Sequence, residues 1–278
     1  MKSTASRRLS FIFLCLVPLV SVIVAFAIGR SPREIYIPIW LINVAAMLCA
    51  SWVLGARNIR SLDLRKKRIA VIGLLFISPW MLASIFAGMG PPPFTMHEWA
   101  ELASEQQVRF NILIVCAILL TFGFSLLYDH LKSLDEQFYS RFGFTAIIIA
   151  IPLMIIGMIL WGNMITEAFV TIDAIVPRVT PDWLKPMRST VDAVVVVWVA
   201  LIYVACIFFS LSLRATKLLK SRVYTIASLA ALILSLLPST SPEPLATMNY
   251  VVGIPAVTFV IPYLMGANLL RWSSEGEG

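Results

Sequence analysis

The chain has 278 residues, of which 59% are hydrophobic and 13% charged, with a net charge of +7. A soluble domain carries about 25% charged residues and about 45–50% apolar ones, so a water-soluble globule is excluded. Intrinsic disorder needs the opposite composition and is excluded as well. Cys15, Cys49, Cys116 and Cys206 all fall in apolar runs and form no C-x-x-C pair. That argues against a disulfide framework and against the common zinc spacings.

A membrane span needs about 20 predominantly apolar residues. On that criterion eight transmembrane helices are expected, at Leu9–Gly29, Ile35–Ala56, Ile69–Gly88, Phe110–Tyr128, Phe142–Asn163, Val194–Leu213, Val223–Leu237 and Tyr250–Leu270. The seventh is the weakest, because Pro238 cuts it short. The expected fold class is all-α, a polytopic membrane helical bundle with very little extramembrane structure, forming one integral membrane domain over 1–278. The first span has an alternative reading. Lys2, Arg7 and Arg8 precede an apolar run ending in Ala25-Phe26-Ala27, the pattern of a cleaved signal peptide.

Basic loops resist translocation, so Lys and Arg set the orientation. With the N-terminus inside, sixteen of the 22 basic residues lie on the cytoplasmic side and nine of the 15 acidic ones outside. The expected topology is N-in/C-in. Arg65, Lys66, Lys67 and Arg68 abut the third span and are expected to touch anionic head groups on the cytoplasmic face. No basic domain with base-stacking aromatics exists, so nucleic acid is not an expected partner.

All charged residues fall in loops or at span ends on these boundaries. Proton relays, voltage sensors and intramembrane carboxylate catalysis place charge at membrane depth, and are discounted accordingly. His97 and His130 lie outside the spans and cannot ligate an intramembrane haem. No metal and no cofactor is expected. Asn43, Asn163 and Asn268 are the polar groups at depth, expected to hydrogen-bond between helices.

Prolines free backbone carbonyls, which in lipid must find new partners, and interrupted helices build solute sites from such groups. The fifth and eighth spans are the candidates, through Pro152 and Gly157 in one and Gly253, Pro255 and Pro262 in the other. The competing reading is a set of packing kinks. A shared order of basic loop and proline-rich external turn suggests a weak duplication of four spans, 1–128 and 142–270.

Three exposed stretches carry polar groups. In HEWAELASE, a helix would place Glu98, Glu101 and Glu105 on one face with His97 beside Glu101. This external cluster suits a cation or acid–base chemistry at the outer surface, against a plain interfacial helix seated by Trp99. The segment 166–192 reads as an amphipathic element on the membrane, with Phe169, Ile172, Ile175 and Val176 as its stripe and Trp183 as anchor. The segment 128–142 reads as a solvated hairpin helix with a Lys132–Glu136 pair and an Asp129-His130 dyad. No P-loop, dinucleotide fingerprint, G-x-S-x-G or EF-hand occurs.

The leading functional expectation is a permease, channel or channel-forming subunit for a small or lipophilic solute, in a bacterial cytoplasmic (inner) membrane. The alternative is a non-catalytic component, such as an assembly factor, anchor or immunity-type protein, acting through a membrane partner or a second copy. An interfacial lipid-modifying enzyme using His97, Glu98 and Glu101 ranks third.

Overall fold

The structure is a computed structural model that describes residues 2–175, 181–237, 242 and 245–275. The described residues are helical and contain no strand. Twelve α-helices follow in order: α1 (Lys2–Ala27), α2 (Arg33–Leu54), α3 (Leu64–Ala83), α4 (Phe86–Met89), α5 (Met96–Glu101), α6 (Ala103–Lys132), α7 (Phe138–Ile159), α8 (Thr166–Asp173), α9 (Leu184–Ala215), α10 (Val223–Ser235), α11 (Leu245–Gly253) and α12 (Val260–Glu275). A π-helical turn, Leu160–Ile165, joins α7 to α8, and a 3₁₀ turn, Pro255–Phe259, leads into α12.

Six stretches are long and apolar enough to cross a membrane, or seven if α11 and α12 form one span bent by 67°. An all-helical chain of this kind fits a multi-pass integral membrane protein. The expected eight spans are reduced in one place. The helix α10 has 13 residues, about 20 Å at 1.5 Å per residue, against a hydrocarbon core of about 30 Å.

The bundle closes around α3, α6, α7, α9 and α12, whose facing side chains form one buried cluster. Trp198, Tyr203, Tyr263, Phe76, Phe124 and Phe209 are its largest members. The first helix packs onto this core through Leu14 and Val17, and Tyr263 donates a hydrogen bond to the Leu14 carbonyl at 2.8 Å. The last helix returns to the start of the first, where Arg7 donates to the Ser274 carbonyl at 3.1 Å. Both ends of the described chain therefore sit at one end of the bundle.

Polar groups at depth bridge helices. Asn43 on α2 reaches the Ser84 hydroxyl beyond α3 at 3.3 Å, and Asn268 on α12 reaches Tyr224 on α10. Asn163 instead is exposed. Asn249 on α11 donates to the carbonyls of Leu234 and Leu237 at 2.8 and 3.0 Å. It thus satisfies two of the orphan acceptors that the short α10 leaves at its C-terminus.

Two polar segments depart from expectation. The stretch after α6 is a tight turn, with Asp135 at φ 59°, and no Lys132–Glu136 pair forms. Glu136 is buried and accepts from the backbone N–H groups of Tyr139 and Ser140 and from the Ser212 hydroxyl. Its carboxylate is taken by the open start of α7 rather than by Lys132. His130 lies in α6 and is 3% exposed, not solvated. The segment after α7 does not form a separate surface helix. It continues the span as α8 and buries Phe169 and Ile172 against α5, with Ile175 exposed. Val176 lies outside the described residues.

Candidate functional site

At the end of the bundle away from the termini lies a cavity of about 490 Å³. Its size falls within the roughly 300–1,000 Å³ of ligand sites. One wall is α1 at Ser21–Phe26; a second is α3 and α4, from Trp80 to Gly90. The loop Pro91–Phe94 covers it, and α6, α7, α9 and α11 close the remaining sides. Most of the lining is apolar or aromatic. Phe26, Val196 and Tyr250 line it too, yet are 44%, 43% and 42% exposed on the flank of the bundle. The cavity therefore reaches the protein surface beside these apolar side chains, and also beside Phe94, Arg188 and Asp192, which line it and are exposed.

The covering loop is held by its own hydrogen bonds. Trp99 donates its indole N–H to the Pro93 carbonyl at 2.9 Å and stacks on Trp161, with centroids 5.2 Å apart. Gly90 adopts φ +73°, and a Cβ there would approach Arg30 N to 3.0 Å, so the turn requires glycine. The Gly90 carbonyl accepts from Arg109 Nη2 at 2.8 Å.

Arg109 is the main correction to the sequence reading. It was expected in an external connection, before a span starting at Phe110. Instead α6 begins at Ala103 and buries Arg109 to 6% exposure on the cavity wall, with its guanidinium over the Phe86 ring. Three lining residues each hold a buried polar atom with no hydrogen-bond partner: Arg109 Nε, Gln106 Oε1 and Trp80 Nε1. Buried polar groups are otherwise satisfied as a rule. Gln106, Arg109, Phe110 and Leu113 follow the i, i+3, i+4, i+7 spacing of one helix face. That stripe, with two polar members at its head, is the signal the sequence held.

The expected external cluster is divided. His97 keeps Glu101 at 3.3 Å and gains Asp173 of α8 at 2.9 Å. Glu98 closes a capping box with Thr95 at the start of α5. Backbone N–H groups of Phe94 and Thr95 hold its carboxyl below the usual carboxylate range. Glu105 belongs to α6 and pairs with Arg30 at 2.8 Å and Arg33 at 3.0 Å. No group of side chains suited to a metal ion occurs among the described residues.

Of the expected helix breaks, Gly253 and Pro255 line the cavity, at the bend between α11 and α12. Pro152 is exposed on α7 and Pro262 is buried in α12, and neither lines it. Gly157 is buried, with Trp198 Nε1 3.7 Å from where a Cβ would stand. Arg65, Lys66, Lys67 and Arg68 form the first turn of α3, about 20–25 Å along that helix from its cavity-lining residues Trp80 and Ala83. There Arg65 lies over the Trp272 ring at 5.1 Å.

No protein-family model, curated protein or solved structure matches the chain. Its function must be argued from the cavity.

Proposed function

We propose that the protein is a permease for a lipophilic solute, which it takes from the bilayer into the cavity beneath the Pro91–Phe94 loop. The observation carrying this reading is a mainly apolar cavity that reaches the surface beside the exposed apolar side chains of Phe26, Val196 and Tyr250. A site for a water-borne solute would have a mainly polar lining. The broken helix at Gly253–Pro255 forms part of the wall, where irregular backbone is tolerated because it lines a cavity.

The orientation we propose is N-in/C-in, with the Arg65–Arg68 end at the cytoplasmic face of a bacterial inner membrane and against anionic head groups. Arg7 and Ser274 meet at that end of the bundle, which supports an even number of crossings. Six full spans and the bent pair make seven, and α10 supplies the eighth with local thinning of the bilayer.

The protein in nanodiscs made with its native lipids tests this. Solute is expected to co-purify, to be lost in Val195→Trp, which fills the cavity, and to move across reconstituted vesicles only with the unmodified wall. Pro255→Ala is expected to alter that movement and Pro152→Ala to leave it unchanged. Unchanged solute content in a folded Val195→Trp protein overturns the reading.

A second reading, a membrane component acting through helix contacts, draws on α1 and α2. Their most apolar windows are only 17% and 22% buried, against 61% for the third span. A stable partner cross-linking to α1 or α2, with an empty cavity, would favour it.

A further inference from the structure

The polar part of the cavity wall is unbalanced, and the imbalance describes the missing ligand. Arg109 spends Nη2 on the carbonyls of Gly90 and Met89, while Nε and Nη1 make no hydrogen bond. Among the described residues no carboxylate pairs with it. Glu105, one turn earlier on α6, is already held by Arg30 and Arg33. Arg188 and Asp192, also on the wall, face each other at 3.9 Å and cancel. The wall thus carries one uncompensated, buried positive charge, which is strongly disfavoured without a counter-ion.

The neighbouring groups narrow the counter-ion. Arg109 leaves Nε and Nη1 without acceptors, the side of the guanidinium that takes an oxyanion through two parallel hydrogen bonds. Trp80 Nε1 is a further unused donor, and Gln106 brings an unused side-chain carbonyl. A carboxylate has nothing to donate to that carbonyl; a phosphomonoester or a neighbouring hydroxyl does. Beyond these groups and the Arg188–Asp192 pair the lining is mostly apolar, and the cavity volume lies in the lower half of the range for ligand sites.

We propose that the cavity binds a lipid with a phosphate head on a single apolar chain, the phosphate at Arg109 and a hydroxyl at Gln106. The chain leaves through the rim of Phe26, Val196 and Tyr250. This rests on the reading of the cavity as the site of a lipophilic solute, and it names the class of that solute.

The test is native mass spectrometry of the full chain in detergent, with tryptophan fluorescence titration, using four probes: oleoyl lysophosphatidate, oleate, monoolein and inorganic phosphate. Lysophosphatidate is expected to bind roughly tenfold to a hundredfold more tightly than monoolein, the worth of a charge-assisted hydrogen bond. Arg109→Gln should reduce it to the monoolein level, and Arg109→Lys should restore part of the difference. Gln106→Leu should weaken lysophosphatidate several-fold and leave oleate unchanged. The comparison of probes on the unmodified protein needs no variant to fold.

Equal binding of lysophosphatidate and monoolein, unmoved by Arg109→Gln, overturns the anionic head and leaves the lipophilic-solute reading standing. Oleate binding as tightly as lysophosphatidate overturns the phosphate. Inorganic phosphate binding as tightly as lysophosphatidate overturns the lipid chain. Retention of neither lysophosphatidate nor monoolein overturns this proposal and the permease together.

Discussion

Glu98 and Glu105 occupy one face of a continuous helix when the sequence is read alone, yet they do unrelated work. The helix is not continuous: α5 ends at Glu101, Leu102 turns at φ −99°, and α6 starts at Ala103 on a new axis. Glu98 stays with the loop it caps, and Glu105 turns to the α1–α2 connection, where Arg30 and Arg33 reach it. The carboxylate of Glu105 is 7% exposed while both arginines are about half exposed. Loss of its charge therefore leaves two rehydrated cations and one weakened junction. Glu105→Gln is expected to cost about 1–3 kcal/mol, the worth of charge-assisted bonds to a buried group, read as a lower unfolding temperature in nanodiscs. Glu98 has a pH signature instead. Its folded pKa is depressed, so its contribution is present above the unfolded value of about 4.3 and is lost as pH falls through the folded one. Acid unfolding of Glu98→Gln should lack that component. The residue identities were legible in both cases; the direction each side chain faces was not, because it depends on where one helix stops.

The same limit governs the elements. Long apolar runs fixed α1, α2, α3, α6, α7 and α9 to within a few residues at the membrane-facing parts, because lipid demands both length and internal hydrogen bonding. The starts of α6 and α9 extend beyond the apolar runs into polar sequence, and this is how Arg109 came to be hidden. Glycine and proline near the last span were ambiguous for a related reason. Gly253 and Pro255 shape the cavity, but Gly266 serves packing. A Cβ on Gly266 would stand 2.7 Å from the Gly73 carbonyl oxygen, and one on Gly73 would stand 3.0 Å from the Gly266 carbonyl oxygen. The two glycines bring α3 and α12 into backbone contact, as small residues do between membrane helices. Gly266→Val is expected to cost about 1–3 kcal/mol by overpacking, and to separate α3 from α12. Its measure is a lowered unfolding midpoint; unchanged stability would mean that the crossing relaxes without cost. Spacing alone does not distinguish a glycine that opens a cavity from one that closes a contact.

At the scale of the molecule, the charge asymmetry and the geometry bear on orientation by independent routes. Basic residues concentrate in the connections that meet the Arg65–Arg68 end, and the contact between Arg7 and Ser274 brings the first and last helices to that same end. Neither observation uses the other. Both agree with the even number of crossings proposed above, in which α10 takes part although it is too short to be recognised as a span by length. Two exposed side chains mark the ends: Leu62, 100% exposed before α3, and Phe94, 75% exposed in the loop over the cavity. In a protein carrying Cys49→Ser, Phe94→Cys is expected to react with a membrane-impermeant maleimide on intact cells. Leu62→Cys should react only after the membrane is opened. The reverse pattern would invert the molecule and turn the cavity toward the cytoplasmic leaflet. Labelling of both from one side would leave an even number of crossings between them, with α3 failing to span. Because α3 forms a wall of the cavity and also carries the basic cluster, its orientation decides which leaflet the cavity lies in.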